Sequence, residues 1–553
     1  MQPRRTSCRG ISSTEGNCGE TIEHHGCLGC TRDGIRPASG RSGRRECAYS
    51  FVYNTNDSCG YHRIKLGNLS SILAWVRREI VIITGMHSDY GEYEERELPS
   101  PPHWTKALGV GIVITGLAMG TGELILWPHL VTKYGLNILW TAVLGLTFQY
   151  FINQEVARHA LATGESFFTT SSRLFKWFAP FWMLSAALLY VWPGWAGAIG
   201  TTLKELFGFG TYLGWALASL ALVLVFTFLG KAAYSVLEKS LKITVPAFFV
   251  LLLIASFLNL SVEDLKLLLR GASDFGFMPT DINIPVLLGA IVFAGAGGLL
   301  NLCVSLWYRD KQVGMGHYVG RIINPITGKT EAVSHQGYRF QINEENLGRW
   351  KKWMRFVRID QGIIFWLLGL ITLLLLSVNA YVTLTPLGLI PQGTDVAVVQ
   401  AHIFGNQWGK PGFNLFLVMA FLMLFSVMWT VIDAFTRIVT DILFVNSRTG
   451  PFKKYLSWIQ GVSIHKLYYT LIVAIIAVSA MLLPLKQPLM LLTVSAVLGG
   501  FTMAIYVPII LYLNNTSLPK QLRPGLVTNF MMIVAALFYA YFAVSISITY
   551  LFG

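Results

Sequence analysis

From Ala107 onward, apolar runs of membrane-crossing length recur with only short polar breaks, each near the roughly 20 residues that one helix needs to cross a bilayer. Bounded by charges, Gly and Pro, they predict helices at Ala107–Val131, Leu136–Val156, Phe178–Ile199, Tyr212–Leu229, Ile243–Leu260 and Ile284–Trp307. After a polar segment come Ile363–Val382, Phe413–Ile432, Leu467–Leu485, Leu489–Leu513 and Leu526–Leu551. The period and length of these runs predict an all-α polytopic membrane protein of about eleven transmembrane helices, numbered here as spans 1 to 11. Residues 107–553 form the expected membrane domain, with a polar loop at 308–360.

Two spans carry glycine clusters at mid-helix. Span 1 reads Gly-Leu-Ala-Met-Gly-Thr-Gly-Glu-Leu-Ile-Leu-Trp-Pro from Gly116 to Pro128, and span 6 reads Phe-Ala-Gly-Ala-Gly-Gly from Phe293 to Gly298. Either cluster alone is explained by close helix packing, because small residues let backbones approach. Two interrupted helices five spans apart are, however, the mark of an inverted-repeat transporter, whose substrate is read by irregular backbone at the midplane. Such backbone survives at that depth where it is buried in protein or lines a cavity. The candidate substrate or ion site is therefore Gly120, Thr121, Gly122, Glu123, Phe293, Ala294, Gly295 and Asn301, with Glu123 as its one ionisable member and candidate cation or metal ligand.

Gly109 to Glu123 (Gly-Val-Gly-Ile-Val-Ile-Thr-Gly-Leu-Ala-Met-Gly-Thr-Gly-Glu), Ala157 to Glu165 (Ala-Arg-His-Ala-Leu-Ala-Thr-Gly-Glu) and Leu288 to Gly295 resemble the Nramp (natural resistance-associated macrophage protein) family. The hydropathy pattern agrees over residues 86–553. The resemblance implies a five-plus-five inverted-repeat, leucine-transporter-like fold and proton-coupled transport of a divalent metal ion. The chain departs from the family at the metal site itself. Gly120-Thr121-Gly122-Glu123 stand where the family has Asp-Pro-Gly-Asn, and Phe293-Ala294-Gly295 where it has Met-Pro-His. The resemblance thus implies a divergent member without the usual metal-binding motifs, in which Glu123 is the remaining charged ligand. A same-fold symporter of a small organic solute is the alternative within the class.

Composition supports the membrane assignment: 53% of the 553 residues are hydrophobic and 13% charged, against about 25% charged in soluble domains. The formal net charge of +14 does not indicate a nucleic-acid partner, because Lys and Arg fall in alternate short loops. They cluster at Arg158, Arg173 and Lys176, at Lys231, Lys239 and Lys242, between Arg309 and Arg358, and at Arg437, Arg448, Lys453 and Lys454. Positive loops face the cytoplasm, so the expected N-terminus is cytoplasmic and the C-terminus outside. The expected partners are the lipid bilayer, a small ion or solute and a coupling proton or other cation, with no cofactor.

Residues 1–85 lack helical or strand periodicity and hold six of the seven Cys, including Cys27 and Cys30 beside His24 and His25. Cys-x-x-Cys can supply two zinc ligands, but no second pair stands at a zinc-finger spacing. The segment reads as a disordered or misassigned extension, followed by a cytoplasmic lead-in at 86–106. Further candidates are Glu155, Arg158 and His129, for a proton path or for anchoring, and Asp433, Arg437 and Asp441, whose four-residue spacing stacks them on one helix face. The marks of an ATP-driven pump or a membrane-embedded hydrolase, a phosphate-binding loop, His-Glu-x-x-His or Gly-x-Ser-x-Gly, are absent, so no enzymatic activity is expected. A transport-dead receptor is the remaining class.

Overall fold

The computed structural model of the protein describes residues 90–102, 109–230, 233–326, 331–392, 395–484 and 488–552. The residues 1–85 and their cysteines lie outside these. Among the described residues, nine helices are long and apolar enough to cross a membrane: Val110–Tyr134, Phe178–Phe207, Tyr212–Leu229, Tyr234–Asn259, Glu344–Leu387, His402–Arg448, Ile464–Leu482, Val494–Thr516 and Leu526–Ile548. Trp140–Thr163 supplies span 2, and the pair Ile284–Phe293 and Leu300–Asp310 supplies span 6. Span 2 differs in composition for a physical reason. Gln149, Asn153, Gln154, Glu155, Arg158 and His159 are all buried, so this helix lies inside the bundle and pairs most of its polar groups with protein.

Several helices outrun their apolar stretches. Span 8 continues past Ile432 to Arg448 because Asp433, Arg437 and Asp441 find charged partners in the bundle. It is kinked near its start, where Gly409 takes φ 63° two residues before Pro411. The second half of the polar loop is also helical: Glu344–Ile359 runs into a π-helical stretch, Asp360–Leu367, and on into Leu368–Leu384. Span 3 is made of Phe178–Tyr190 and Gly194–Phe207, parted at Pro193.

On the Lys- and Arg-rich face, residues 90–102 pack onto the loop between spans 6 and 7. Glu94–Glu95 pair in parallel with Tyr338–Arg339, and Leu98 N donates to Asn346 Oδ1 at 3.3 Å. Asp360 receives Gly109 N at 3.1 Å and Gly111 N at 2.7 Å. These are donors that the start of a helix leaves unpaired, and a carboxylate there also complements the positive end of the helix dipole. The start of span 1 is thereby docked against span 7.

Candidate functional site

Span 1 is interrupted by a π-helical turn, Gly122–Leu126, between Val110–Thr121 and Trp127–Tyr134. The interruption is a widened turn, not an unwound stretch, and π-turns of this kind recur at functional sites. Glycine is needed at its start, against two neighbouring spans. A Cβ on Gly122 would lie 1.8 Å from the Phe293 carbonyl oxygen, and one on Gly120 would lie 2.4 Å from Val427 Cγ2. Span 1 thus presses directly on span 6 and span 8 at this level.

Glu123 opens the π-turn. It is fully buried, and neither carboxylate oxygen has a hydrogen-bond partner. Its carboxylate points toward span 7, where a Cβ built on Gly369 would be 3.9 Å from Glu123 Oε1. The Thr372 hydroxyl faces it there, but its single proton also has the Gly369 and Leu368 carbonyls in reach, at 2.9 and 3.1 Å, so Glu123 has no donor of its own. A carboxylate left without donors at bilayer depth costs at least about 2 to 3 kcal/mol on insertion scales, and a cation or proton offsets that cost. Among the described residues no three His, Cys, Asp or Glu side chains gather into a metal-binding group.

Span 6 is broken outright between Phe293 and Leu300, with Gly297 and Gly298 at φ 71° and 54°. Only glycine adopts such angles without strain. The loose backbone ends are held by side chains from other spans. Gln149 Nε2 donates to the carbonyls of Ile291 and Val292, at 3.2 and 2.9 Å, while its Oε1 accepts from Gly297 N at 3.0 Å. Tyr190 donates to the Gly297 carbonyl and accepts from Leu300 N, and Tyr506 donates to the Gly298 carbonyl at 3.0 Å. Asn301 donates to Asn153 Oδ1 at 2.8 Å and to Gln149 Oε1 at 3.3 Å. Asn301 Oδ1 and Asn153 Nδ2, on the two amides that the Asn301–Asn153 bond joins, are buried without partners, a free acceptor and a free donor.

Phe293, Ala294, Gly295 and Asn301 therefore gather at the span 6 break, and Gly120, Thr121, Gly122 and Glu123 at the π-turn, the two groups meeting where Gly122 crosses Phe293. Gln149 is legible in the sequence as a polar residue of span 2 that lines the cavity or bonds between helices, whereas Tyr190 and Tyr506, which organise the break with it, are not. A Gln inside an apolar helix was the one available signal. The proton-path candidates fall in two places, Glu155 with Arg158 in span 2 and His129 in span 1. Arg158 binds both Glu155 oxygens at 3.0 Å and the Leu522 carbonyl at 3.0 Å, and Asn514 donates to Glu155 Oε2 at 2.8 Å, which ties span 2 to span 10. His129 Nδ1 contacts the Pro391 carbonyl at 2.8 Å at the other end of span 1.

The charged face of span 8 is part of a buried, alternating row. Asp433 pairs with Arg437 at 2.7 Å, Arg437 with Asp310, and Arg309 with Asp441, while Tyr468 donates to Asp433 at 2.5 Å. Spans 6 and 8 are locked together there.

No protein-family model matches the sequence, and the search of curated proteins finds no match. Solved structures do match. Two variant structures of the manganese transporter of Eremococcus coleocola superpose with TM-scores of 0.55 and 0.56 at 12% identity, covering 82% of this chain and 89% of that one. A nucleobase-cation-symport-1 family transporter with bromovinylhydantoin bound aligns at a TM-score of 0.49 and 14% identity, over 81% of this chain and 95% of that one. The fold is the leucine-transporter-like, five-plus-five inverted repeat with interruptions in spans 1 and 6.

Proposed function

We propose that the protein is a secondary active transporter of the Nramp-related type, coupled to a proton or other cation, that carries a hard divalent metal ion such as Mn²⁺ or Mg²⁺. One observation carries this reading: Glu123 is a fully buried carboxylate without a partner, on the π-turn of a span that crosses the break of span 6. The shared fold with a manganese transporter supports it. Among the described residues no His or Cys joins Glu123 in a metal-binding group of three, and a carboxylate with neutral oxygens suits hard ions over soft ones. Glu123 alone offsets one of the two charges of a divalent ion, so the ion is held without full neutralisation, which leaves the site able to release it.

The free donor and acceptor of Asn153 and Asn301 favour a second reading, a small polar organic solute held at the span 6 break with Glu123 binding the coupling cation. Uptake of radiolabelled Mn²⁺ into proteoliposomes, with and without an inward proton gradient, and competition by Mg²⁺ and by amide-bearing solutes, separates the two. Gradient-stimulated Mn²⁺ uptake blocked by Mg²⁺ supports the metal reading. Uptake that only organic solutes inhibit moves the assignment to the second, and no uptake of any kind leaves a receptor.

By the same proposal the Lys- and Arg-rich face is cytoplasmic. In a background with the N-terminal cysteines replaced by Ser, a Cys at Ile326 is expected to label only after permeabilisation and one at Gln392 in intact cells. The reverse pattern would invert the topology.

A further inference from the structure

The loop between spans 7 and 8 touches the π-turn directly. Its short helix Val396–Gln400 ends on Gln400, which is fully buried although it belongs to a loop on the outer face. Gln400 Nε2 donates to the Leu124 carbonyl, inside the π-turn, at 2.5 Å, and to the Val396 carbonyl of its own helix at 3.3 Å. Gln400 Oε1 has no partner. The same loop is fixed to span 1 a second time, where Pro391 offers its carbonyl to His129 Nδ1 at 2.8 Å. A widened turn displaces carbonyls from their ordinary intrahelical partners, and a buried carbonyl left unpaired is costly.

We propose that Gln400 is a positioning residue for Glu123, which is one residue from the carbonyl that Gln400 holds. Its amide keeps the π-turn open in the form that aims the Glu123 carboxylate at span 7. The seating of the outer loop and the occupancy of Glu123 are then coupled: a cation on Glu123 favours the loop seated, and an unseated loop lets the turn relax toward an α-helix. The inference rests on the reading of Glu123 as the cation-binding group and adds the outer loop as the element that tunes it.

The test compares Gln400→Leu, which keeps the volume and loses the donor, with Gln400→His, which restores a donor, and with Gln392→Leu, an exposed amide on the same loop. For Mn²⁺ uptake into proteoliposomes, Gln400→Leu is expected to raise KM at least about tenfold, near the worth of one buried hydrogen bond, and to displace the pH midpoint, with the maximal rate within about threefold of wild type. Gln400→His recovers part of both shifts and Gln392→Leu shows neither. A Gln400→Leu protein whose maximal rate falls while KM and midpoint stay at wild-type values overturns the proposal. Should Gln400→Leu not fold, a Cys at half-buried Val399 in the otherwise intact loop gives the answer. Mn²⁺ should slow its maleimide labelling in the wild-type background and have no effect with Glu123→Gln, and labelling that ignores Mn²⁺ in both sinks the coupling. Glu123→Gln run alongside keeps the claims apart, because normal uptake by that variant ends the Glu123 reading, whereas an unaltered KM in Gln400→Leu ends only this one.

Discussion

Glu165 shows how one residue fixes the loop after span 2. Burial alone would raise its carboxyl, but Arg173, bound through Nε at 3.0 to 3.1 Å and Nη2 at 2.6 Å, overrides that and holds it below the ordinary carboxylate value. Arg173 also reaches the carbonyls of Tyr90 and Gly91, so the pair pins the N-terminal lead-in. A depressed carboxyl contributes stability that is present above its unfolded value of roughly 4.3 and is lost as pH falls through the lower folded value. Glu165→Gln leaves the guanidinium buried without its counter-charge, and breaking such a pair costs about 3 to 5 kcal/mol. Thermal unfolding in detergent is expected to show a clear loss in Glu165→Gln at neutral pH, and a smaller gap between the two proteins below about pH 4. A variant as stable as wild type at neutral pH would contradict the structural role. The sequence showed Glu165 only as the end of a family-like motif. Its partner lies eight residues on, beyond the reach of the i,i+3 and i,i+4 spacings that made Glu155 and Arg158 legible.

At the scale of elements, apolar length made the spans readable, and glycine clusters marked both interrupted helices. The form of the interruptions was not readable. A π-turn and an outright break share the same glycine signature, and which one forms depends on the partners: Gln400 for span 1, Gln149 with Tyr190 and Tyr506 for span 6. Boundaries failed where buried charges let a helix continue, as in span 8, because hydropathy cannot see that a charge has a partner across the bundle. The crossing of the two interrupted spans yields a sharp prediction. Gly122→Ala places a methyl group 1.8 Å from the Phe293 carbonyl oxygen, so spans 1 and 6 must separate, at the roughly 1 to 3 kcal/mol or more of an overpacked core. Gly348→Ala meets open space. Thermal stability and Mn²⁺ uptake are expected to fall in the first variant and to hold in the second, and equal behaviour of the two would mean that the crossing is looser than described.

For the whole molecule, a fold with two interrupted spans places a carboxylate in the bundle interior, and the transport proposal depends on what that carboxylate does. Loop charges, span count and the position of Glu123 were all legible in the sequence. The direction of the Glu123 side chain, toward Gly369 of span 7, was not, since it follows from the rotation that the π-turn gives to span 1. The most direct measurement is Mn²⁺ uptake as a function of pH in proteoliposomes holding wild type or Glu123→Gln at equal, correctly inserted amounts. The account predicts that Glu123→Gln folds and inserts with its cation-coupled uptake at least about a hundredfold lower, the loss expected when about 3 kcal/mol of charge interaction is removed from the site. Uptake by Glu123→Gln at the wild-type rate and with the wild-type pH dependence would contradict it, and would reduce Glu123 to a packing residue.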